Sequence, residues 1–236
     1  MREKFKNHVA TLMDYGNIKI IDFKNPESMD YRIRFIFEED YYRLHISGDL
    51  GELTATNYKN MCYEQFSDFI HNTGYFEGKI DCMSRAIYYY DLEKAREDLR
   101  KELDWYDLKE PELEDILDDL NEKSGLGTRA YEILSEIDSE CYEWIADIGK
   151  EETGILEVYM LAFELAQKQL CSQYNSFKCI NSFSMVNSKF IQVLKNSVWE
   201  KEEGDGELIR LSNNGEKIEI DEDFLIENFT PLRKGD

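Results

Sequence analysis

The chain has 236 residues, of which 42% are hydrophobic and 13% aromatic, so it can bury a core and is not expected to be disordered. Its 50 acidic side chains outnumber 28 basic ones, and the formal charge of −22 disfavours binding to nucleic acids or anionic membranes and favours basic partners. The five cysteines form no CxxC pair, which argues against a disulfide framework or a structural zinc site, and no window approaches the roughly 20 apolar residues of a membrane helix.

The first part of the chain predicts a short helix followed by strands. Residues 2–13 place Phe5, Val9, Leu12 and Met13 at helical spacing. After Gly16, short runs rich in β-branched and aromatic residues alternate with turn residues. The runs are 17–23, 31–37, 41–47 and 52–56. We expect an antiparallel meander of three to four strands with one face in water.

The middle of the chain predicts helices. Apolar residues recur at spacings of three and four in five segments: 63–72, 84–103, 111–122, 128–148 and 152–173. Pro111 suits the first turn of its helix. The pair Gly125 and Gly127 marks a helix end, with Thr128 as a candidate N-cap.

The last part returns to strands. Residues 206–221 contain two alternating runs joined by Ser-Asn-Asn-Gly, which predicts a β-hairpin, and 221–229 predicts a short turn or helix. Strands, then helices, then a hairpin indicate an α+β fold. We place an N-terminal α+β domain with an antiparallel sheet at 1–80 and a mainly helical domain ending in the hairpin at 81–236.

The negative charge is gathered into three blocks. Residues 91–123 hold 14 acidic and 6 basic side chains, residues 132–164 hold 10 and 1, and residues 200–227 hold 11 and 3. By contrast, residues 165–199 contain four lysines and no acidic residue. Because this stretch has little like-charge repulsion and is rich in Ser, Asn and aromatics, it suits either self-association into a homo-oligomer or a loop or deeper segment.

Two interpretations of the acidic blocks stay open. They are solvated helix faces that keep the protein soluble, or rows of carboxylates that imitate a nucleic-acid backbone and bind a basic protein groove. In the second, the acidic helices in 91–123 and 128–164 carry the contact. In 111–122 the acidic residues fall opposite Leu113, Ile116, Leu117 and Leu120. The candidate partner-binding residues are Glu112, Asp115, Asp118, Asp119, Glu136, Glu140, Glu143 and Asp147.

No run of residues predicts a catalytic centre or a cofactor site. His45-Ile-Ser-Gly-Asp-Leu-Gly51 resembles an anion-binding turn, but no Lys-Ser/Thr pair and no helix follow it, so we interpret it as a hairpin turn. Adjacent carboxylates such as Asp118-Asp119 would bind a metal ion only if further ligands converged. We therefore predict no metal ligands, no cofactor and no catalytic residues.

The runs HISGDLG and ELIRLSNNGEKIEIDEDFLIENF, together with the Lys/Asn/Ile/Glu-rich composition, resemble uncharacterised proteins of phages and mobile elements of Gram-positive bacteria. Such accessory proteins include acidic inhibitors of host defence systems, the anti-CRISPR-like proteins. The resemblance implies a non-enzymatic inhibitor of a nucleic-acid-handling defence complex in the host cytoplasm, acting by mimicry or by oligomeric caging. It assigns no functional residues. The alternative is a metal-dependent enzyme acting on nucleotides or RNA, with carboxylates beside the turn at Ser47–Gly51.

Overall fold

The computed structural model describes residues 1–58, 60–106, 109–186, 190–202 and 208–232. The chain forms two compact units. Unit 1 is Met1–Arg85 with Leu156–Asp236, and unit 2 is Ala86–Ile155. The predicted domains, 1–80 and 81–236, stay a prediction, because compactness alone does not show which part of the chain folds on its own.

The N-terminal half of unit 1 is a six-stranded antiparallel sheet in which consecutive strands are neighbours. After a 3-10 turn at Arg2–Phe5, the elements are β1 (Val9–Asp14), β2 (Ile18–Lys24), β3 (Ile33–Glu38), β4 (Arg43–Gly48), β5 (Leu53–Thr56), a 3-10 turn at Phe66–Phe69, α1 (Thr73–Glu77) and β6 (Ile80–Met83). The predicted meander is confirmed, with two strands more than expected.

The predicted helix over residues 2–13 is wrong. Residues 2–5 form only a 3-10 turn, and from Val9 onward the segment belongs to β1, in which Ala10 and Leu12 are buried while Val9 and Thr11 are exposed. This period of two fits a strand, and pairing with β2 supplies the backbone hydrogen bonds that a helix would otherwise make. Gly16 turns the chain between the two strands at a φ of +84°, a conformation that glycine adopts without steric cost.

Unit 2 contains four short strands and three helices among its described residues. They are β7 (Tyr88–Tyr90), α2 (Leu92–Glu102), α3 (Glu110–Leu117), β8 (Leu120–Asn121), β9 (Gly125–Leu126), α4 (Thr128–Ile137), 3-10 turns at Cys141–Glu143 and Ile145–Asp147, and β10 (Lys150–Glu152). Leu99, Ile116, Ala130 and Leu134 are among the residues of its own hydrophobic core.

The second half of unit 1 contains a long helix and a second sheet. The elements are α5 (Ile155–Gln173), β11 (Ser176–Cys179), β12 (Phe183–Val186), β13 (Phe190–Val193), β14 (Val198–Lys201), β15 (Ile209–Asn213), β16 (Glu216–Ile220), α6 (Glu222–Asn228) and β17 (Phe229–Leu232). Five of these strands form one antiparallel sheet in the order β16-β15-β14-β11-β17, and β12 pairs with β13 alone. The stretch 165–199 is therefore mainly helix and strand, although its residues 187–189 lie outside the described part.

Helix α5 packs on the first sheet through Phe163. The centroid of its ring lies 5.4 Å from the ring centroid of Phe35 and 4.8 Å from that of Phe66. Both ring pairs are in edge-to-face orientation. All three side chains have no measurable exposure. Burying a ring of this size contributes about 2–3 kcal/mol to stability, which anchors the helix.

The fold is α+β as predicted, with an antiparallel N-terminal meander, helices in the middle and C-terminal strands. The hairpin predicted at 206–221 is β15 and β16, and its first two residues lie outside the described part. The predicted helices are shorter than expected. Residues 63–72 hold only a 3-10 turn, 84–91 and 152–154 are strand or irregular ahead of α2 and α5, and 128–148 ends its helix at Ile137. Among the described residues no helix has the length and apolar composition needed to cross a membrane.

Candidate functional site

Unit 2 carries most of the net negative charge of the chain. Its 70 residues contain 22 acidic and 8 basic side chains, a net charge of −14, out of −22 for the whole protein. The remaining 166 residues therefore share a net charge of only −8. The charge is thus concentrated on one compact unit.

Helix α3 presents an acidic face and buries an apolar one. Leu113, Ile116 and Leu117 are 4% exposed or less, while Glu112 and Asp115 lie on the outside. The helix begins at this point because Glu112 accepts the N–H of Lys109 at 3.0 Å and because a proline is tolerated in the first turn. The predicted opposition of carboxylates and apolar residues is confirmed for this helix.

The eight predicted residues do not share one environment. Asp115 is paired with Arg129, and Asp147 with Lys150 at 3.0 Å. Asp119 is half-buried and accepts the N–H of Ala130 at 2.9 Å, so it holds the start of α4. These three carboxylates have structural partners.

The other five predicted residues form no ion pair among the described residues. Glu112 and Asp118 belong to α3 and its C-cap, and Glu136 to the end of α4. Glu140 and Glu143 lie in or beside the 3-10 turn that follows, since Asp138 adopts an extended conformation and ends the helix. All five are exposed. They are available to a basic partner.

Most basic side chains of unit 2 are already engaged. Arg96 contacts Glu114 and lies 3.3 Å from Glu110, and Arg100 lies 2.8 Å from Glu110. The hydrogen bond from Arg96 holds the pKa of the Glu114 carboxyl below its usual range. Lys94 pairs with Asp98 at 3.0 Å. These ion pairs involve only a few carboxylates, and most of the other described carboxylates of unit 2 have no ion pair among the described residues.

A tyrosine-lined cleft of about 780 Å³ lies on unit 2. Its walls include the three tyrosines of β7 and the carboxylates of Asp118 and Glu122. The ammonium of Lys150 lies 4.3 Å from the ring centroid of Tyr88, which is the geometry of a cation–π contact. Tyr90 packs over Gly125, where an added Cβ would lie 2.8 Å from the ring. Aromatic faces beside carboxylates suit an arginine or lysine side chain.

Further aromatic side chains are exposed on the same unit. The exposed fraction is 62% for Trp105 and 60% for Tyr142, and Tyr131 also faces solvent. Tyrosine and tryptophan are enriched at the energetically important positions of protein interfaces. These rings are exposed on the unit that also carries most of the net negative charge.

The turn after β4 is a structural feature. Asp49 accepts the backbone N–H of Arg32 at 2.8 Å and a guanidinium N–H at 2.8 Å, and these hydrogen bonds lower the pKa of its carboxyl. His45 lies 3.1 Å from the hydroxyl of Thr54 and 3.3 Å from Glu38. The turn joins β4 to β5, so the predicted hairpin turn is confirmed.

A buried polar cluster in unit 1 was not predicted from the sequence. Lys19 contacts Glu64 and lies 3.2 Å from Glu39. Burial alone would lower the pKa of the lysine, but the charges of Glu64 and Glu39 outweigh it and raise that pKa. Burial, followed by the charge of Glu64, raises the pKa of Glu39 to about 7. The sequence contained a sign that Lys19 is buried. Lys19 lies two residues before Ile21 and four before Phe23, so in β2 it points to the same buried face as these residues.

The same cluster includes the one set of three metal-ligand groups found among the described residues. Ligand atoms of Glu39, Cys62 and Glu64 lie within 4.8 Å of one another. The ammonium of Lys19 already supplies a positive charge between the two carboxylates. Burial raises the pKa of Cys62 to about 11, which disfavours the thiolate that a metal or a nucleophilic reaction needs. The arrangement is that of an internal ion-pair cluster.

Comparison with protein-family models, with curated proteins and with solved structures found no match to this chain.

Proposed function

We propose that the protein is a non-enzymatic binding protein whose unit 2 blocks a basic, nucleic-acid-handling partner. The observation that carries the proposal is the net charge of −14 on 70 residues, together with exposed aromatic rings and exposed carboxylates that form no ion pair with any described residue. A protein that binds nucleic acids has a basic groove, and an acidic surface of this kind competes for that groove. In the bacterial host, the defence enzymes that process nucleic acids are such partners.

The physical argument concerns which partner gains free energy. The positive charges of a basic groove repel one another, and bound carboxylates relieve this repulsion. The opposite charges of the two surfaces also accelerate their encounter. The aromatic rings then supply contact area that bare charges lack. The same charge disfavours nucleic acid and anionic lipid as direct ligands, because both would bring further negative charge to the surface.

Two routes of inhibition are compatible with this surface. In mimicry, unit 2 occupies the groove directly. In caging, copies of the chain associate through 165–199 and enclose the partner. The hairpin of β12 and β13 favours self-association: one face packs on the core through Ile191 and Val193, while Val186 and Phe190 lie opposite each other with exposed fractions of 79% and 68%.

The test is a pull-down from bacterial lysate with the full chain as bait, followed by a salt titration. We expect a nucleic-acid-binding protein to be retained at low salt and released as salt screens the charges. Labelled duplex DNA added to the retained complex is expected to compete with the bait if mimicry is the route. Retention of no nucleic-acid-binding protein at low salt would contradict the proposal.

A metal-dependent enzyme acting on nucleotides or RNA is the second candidate. It would need carboxylates and His45 to converge beside the turn at Ser47–Gly51. The pairing of Asp49 with Arg32 and the lysine inside the set of Glu39 and Glu64 weaken its support. Titration of the chain with Mg²⁺ or Mn²⁺, followed by a nuclease assay, would favour it only if both binding and hydrolysis were observed.

A further inference from the structure

The tyrosine-lined cleft of unit 2 has a wall that contacts within the unit hold in place. Tyr88, Tyr89 and Tyr90 form β7, which pairs with β10. The ring of Tyr90 packs over Gly125, and its hydroxyl donates to the carbonyl of Ala146 at 3.5 Å. A preformed wall loses little conformational freedom when a ligand binds, so less of the contact energy is spent on ordering it.

The aromatic rings of this wall attract cations. The ammonium of Lys150 lies over the ring of Tyr88, at 4.3 Å from its centroid. The next residue, Tyr89, has an exposed fraction of 44%, and its hydroxyl forms no hydrogen bond with any described residue. Because the face of a tyrosine ring is electron-rich, Tyr89 offers a second ring that a cation of a partner can reach.

Two of the carboxylates that line the cleft are occupied within unit 2. Glu114 forms an ion pair with Arg96. Asp91 accepts the backbone N–H of Lys94 at 2.9 Å and so caps the start of α2. Neither group is left for a ligand.

Two further carboxylates of the lining are unoccupied. Asp118 and Glu122 are exposed, and their carboxylates form neither an ion pair nor a hydrogen bond within the described part of the chain. The ammonium of Lys123, which also lines the cleft, forms no ion pair with a described residue either, and its charge offsets one of the two. One negative charge remains, and it matches a ligand with one positive charge.

We propose that this cleft binds an arginine side chain of a basic polypeptide. The inference deepens the proposed function and rests on it for the identity of the partner. A guanidinium is flat and carries several N–H donors, so it can stack on the ring of Tyr89 and also donate to a carboxylate. A lysine ammonium fits less well, because it is a compact, strongly hydrated charge without a flat face. The volume of about 780 Å³ exceeds that of one side chain and leaves room for the neighbouring residues of the polypeptide.

The test is a titration of the full chain with three small probes, followed by NMR through the backbone amide signals of residues 88–90. N-acetyl-arginine methylamide carries the guanidinium. Its citrulline analogue has nearly the same shape without the charge, and its lysine analogue has the charge without the flat group. We expect the arginine probe to bind at one site, the lysine probe about threefold or more weaker, and the citrulline probe about tenfold or more weaker.

Three results of this titration would overturn the proposal. The first is that the arginine probe leaves the signals of residues 88–90 unchanged. The second is equal binding of the arginine and citrulline probes, which would show that the charge plays no part. The third is tighter binding of the lysine probe, which would show that the flat group plays none.

A tyrosine variant and its control locate the ring contact. Y89L removes the exposed ring of the cleft and is expected to weaken the arginine probe about fivefold or more. Y15L removes an exposed ring from unit 1 and is expected to leave the affinity within about twofold. Equal losses in the two variants would overturn the proposal.

A second pair of variants tests the carboxylates and does not depend on how well Y89L folds. The double variant D118N/E122Q removes both unoccupied carboxylates and leaves the charge of Lys123, so the arginine probe should bind about fivefold or more weaker. The double variant E27Q/E52Q removes two exposed carboxylates from unit 1 and should leave the affinity within about twofold. Equal losses would mean that the net charge of the whole chain attracts the probe, and would overturn the proposal.

The pull-down from lysate separates this inference from the proposed function. If the wild type and Y89L retain the same nucleic-acid-binding protein equally well, the proposed function stands and the cleft is not the anchor. If the arginine probe binds as expected but no nucleic-acid-binding protein is retained, the cleft is an arginine site and the proposed function is wrong.

Discussion

The half-buried pair of Glu39 and Glu64 predicts that the protein loses stability as the pH rises. In the folded state the pKa of Glu39 is about 7, above its ordinary value of 4.5, because the carboxyl is buried and faces the charge of Glu64. The folded protein therefore holds a proton that the unfolded chain releases. The resulting stabilisation is complete below a pH of about 4.5 and is lost as the pH rises through about 7.

The substitution E39Q removes this titration while keeping the oxygen that accepts the N–H of Tyr63 at 3.2 Å. The displacement of the Glu39 pKa corresponds to about 3 kcal/mol at 1.36 kcal/mol per pH unit. Because 21% of the carboxylate side chain remains in contact with water, we halve this value to about 1.5 kcal/mol. We expect E39Q to equal the wild type at pH 5 and to exceed it by about that amount at pH 8.

The measurement is urea unfolding at pH 5, 6, 7 and 8, with E27Q as the control for removing one charge from a highly acidic chain. Glu27 is exposed and its carboxylate has no partner among the described residues. The difference between E39Q and E27Q isolates the buried carboxyl, since other titrating groups are common to both. Parallel curves for the two variants, or lower stability of E39Q at pH 8, would refute the reasoning.

Three further predictions concern unit 2 and the exposed hairpin. Gly125→Ala places a Cβ 2.8 Å from a tyrosine ring at a φ of +77°, whereas the Cβ of Gly215→Ala would meet no atom within 4 Å. We expect the free energy of unfolding in urea to fall by about 1–3 kcal/mol more in Gly125→Ala than in Gly215→Ala. Equal losses would contradict the packing of the ring on Gly125. Asp119→Ala removes the hydrogen-bond acceptor at the start of α4 and should lower the free energy of unfolding by about 1 kcal/mol. Asp118→Asn should leave the free energy of unfolding unchanged and weaken partner binding. The reverse pattern would make Asp118 the structural residue and Asp119 the partner-binding one. Phe190→Ser should dissociate any oligomer seen by light scattering across salt concentrations, and a wild type that is monomeric throughout would exclude caging.

The parts of the fold that were predicted depend on local signals. The hairpin of β15 and β16 follows from Asn214-Gly215, which adopt φ values of +48° and +85° as this kind of turn requires. Helix α3 follows from its apolar spacing and from Pro111. In both cases neighbouring residues alone determine the conformation.

The parts that were missed depend on distant residues. Val9, Leu12 and Met13 fit a helix or a strand by spacing, and pairing with β2 decides for the strand. Strand β11 lies between β14 and β17, and the partner of Phe177 on β17 is Pro231, more than 50 residues along the chain. Pairing between such distant segments produces no pattern that can be recognised within a short stretch of sequence.

The candidate sites divide in the same way. The acidic face of α3 could be derived from one helix, and the charge of unit 2 from counting. The cluster at Lys19 joins segments that are far apart in sequence, so its geometry could not be derived in advance. Asp119 shows why spacing alone is not enough. Its spacing groups it with the surface carboxylates, but it accepts the N–H of Ala130 and so stabilises the start of α4.

The most direct test of the central claim compares two variants that each remove four charges. The first neutralises exposed carboxylates of unit 2 and the second exposed carboxylates of unit 1, and none of the eight forms an ion pair within the described part of the chain. The substitutions are D118N, E136Q, E140Q and E143Q in the first, and E3Q, E27Q, E52Q and E216Q in the second. The affinity of each for the retained partner is measured by calorimetry at low and at physiological salt. We expect the unit 2 variant to bind at least tenfold more weakly, which is about 1.4 kcal/mol, with a smaller salt dependence, and the unit 1 variant to bind like the wild type. Equal affinities of the two variants would contradict the claim that unit 2 is the binding surface.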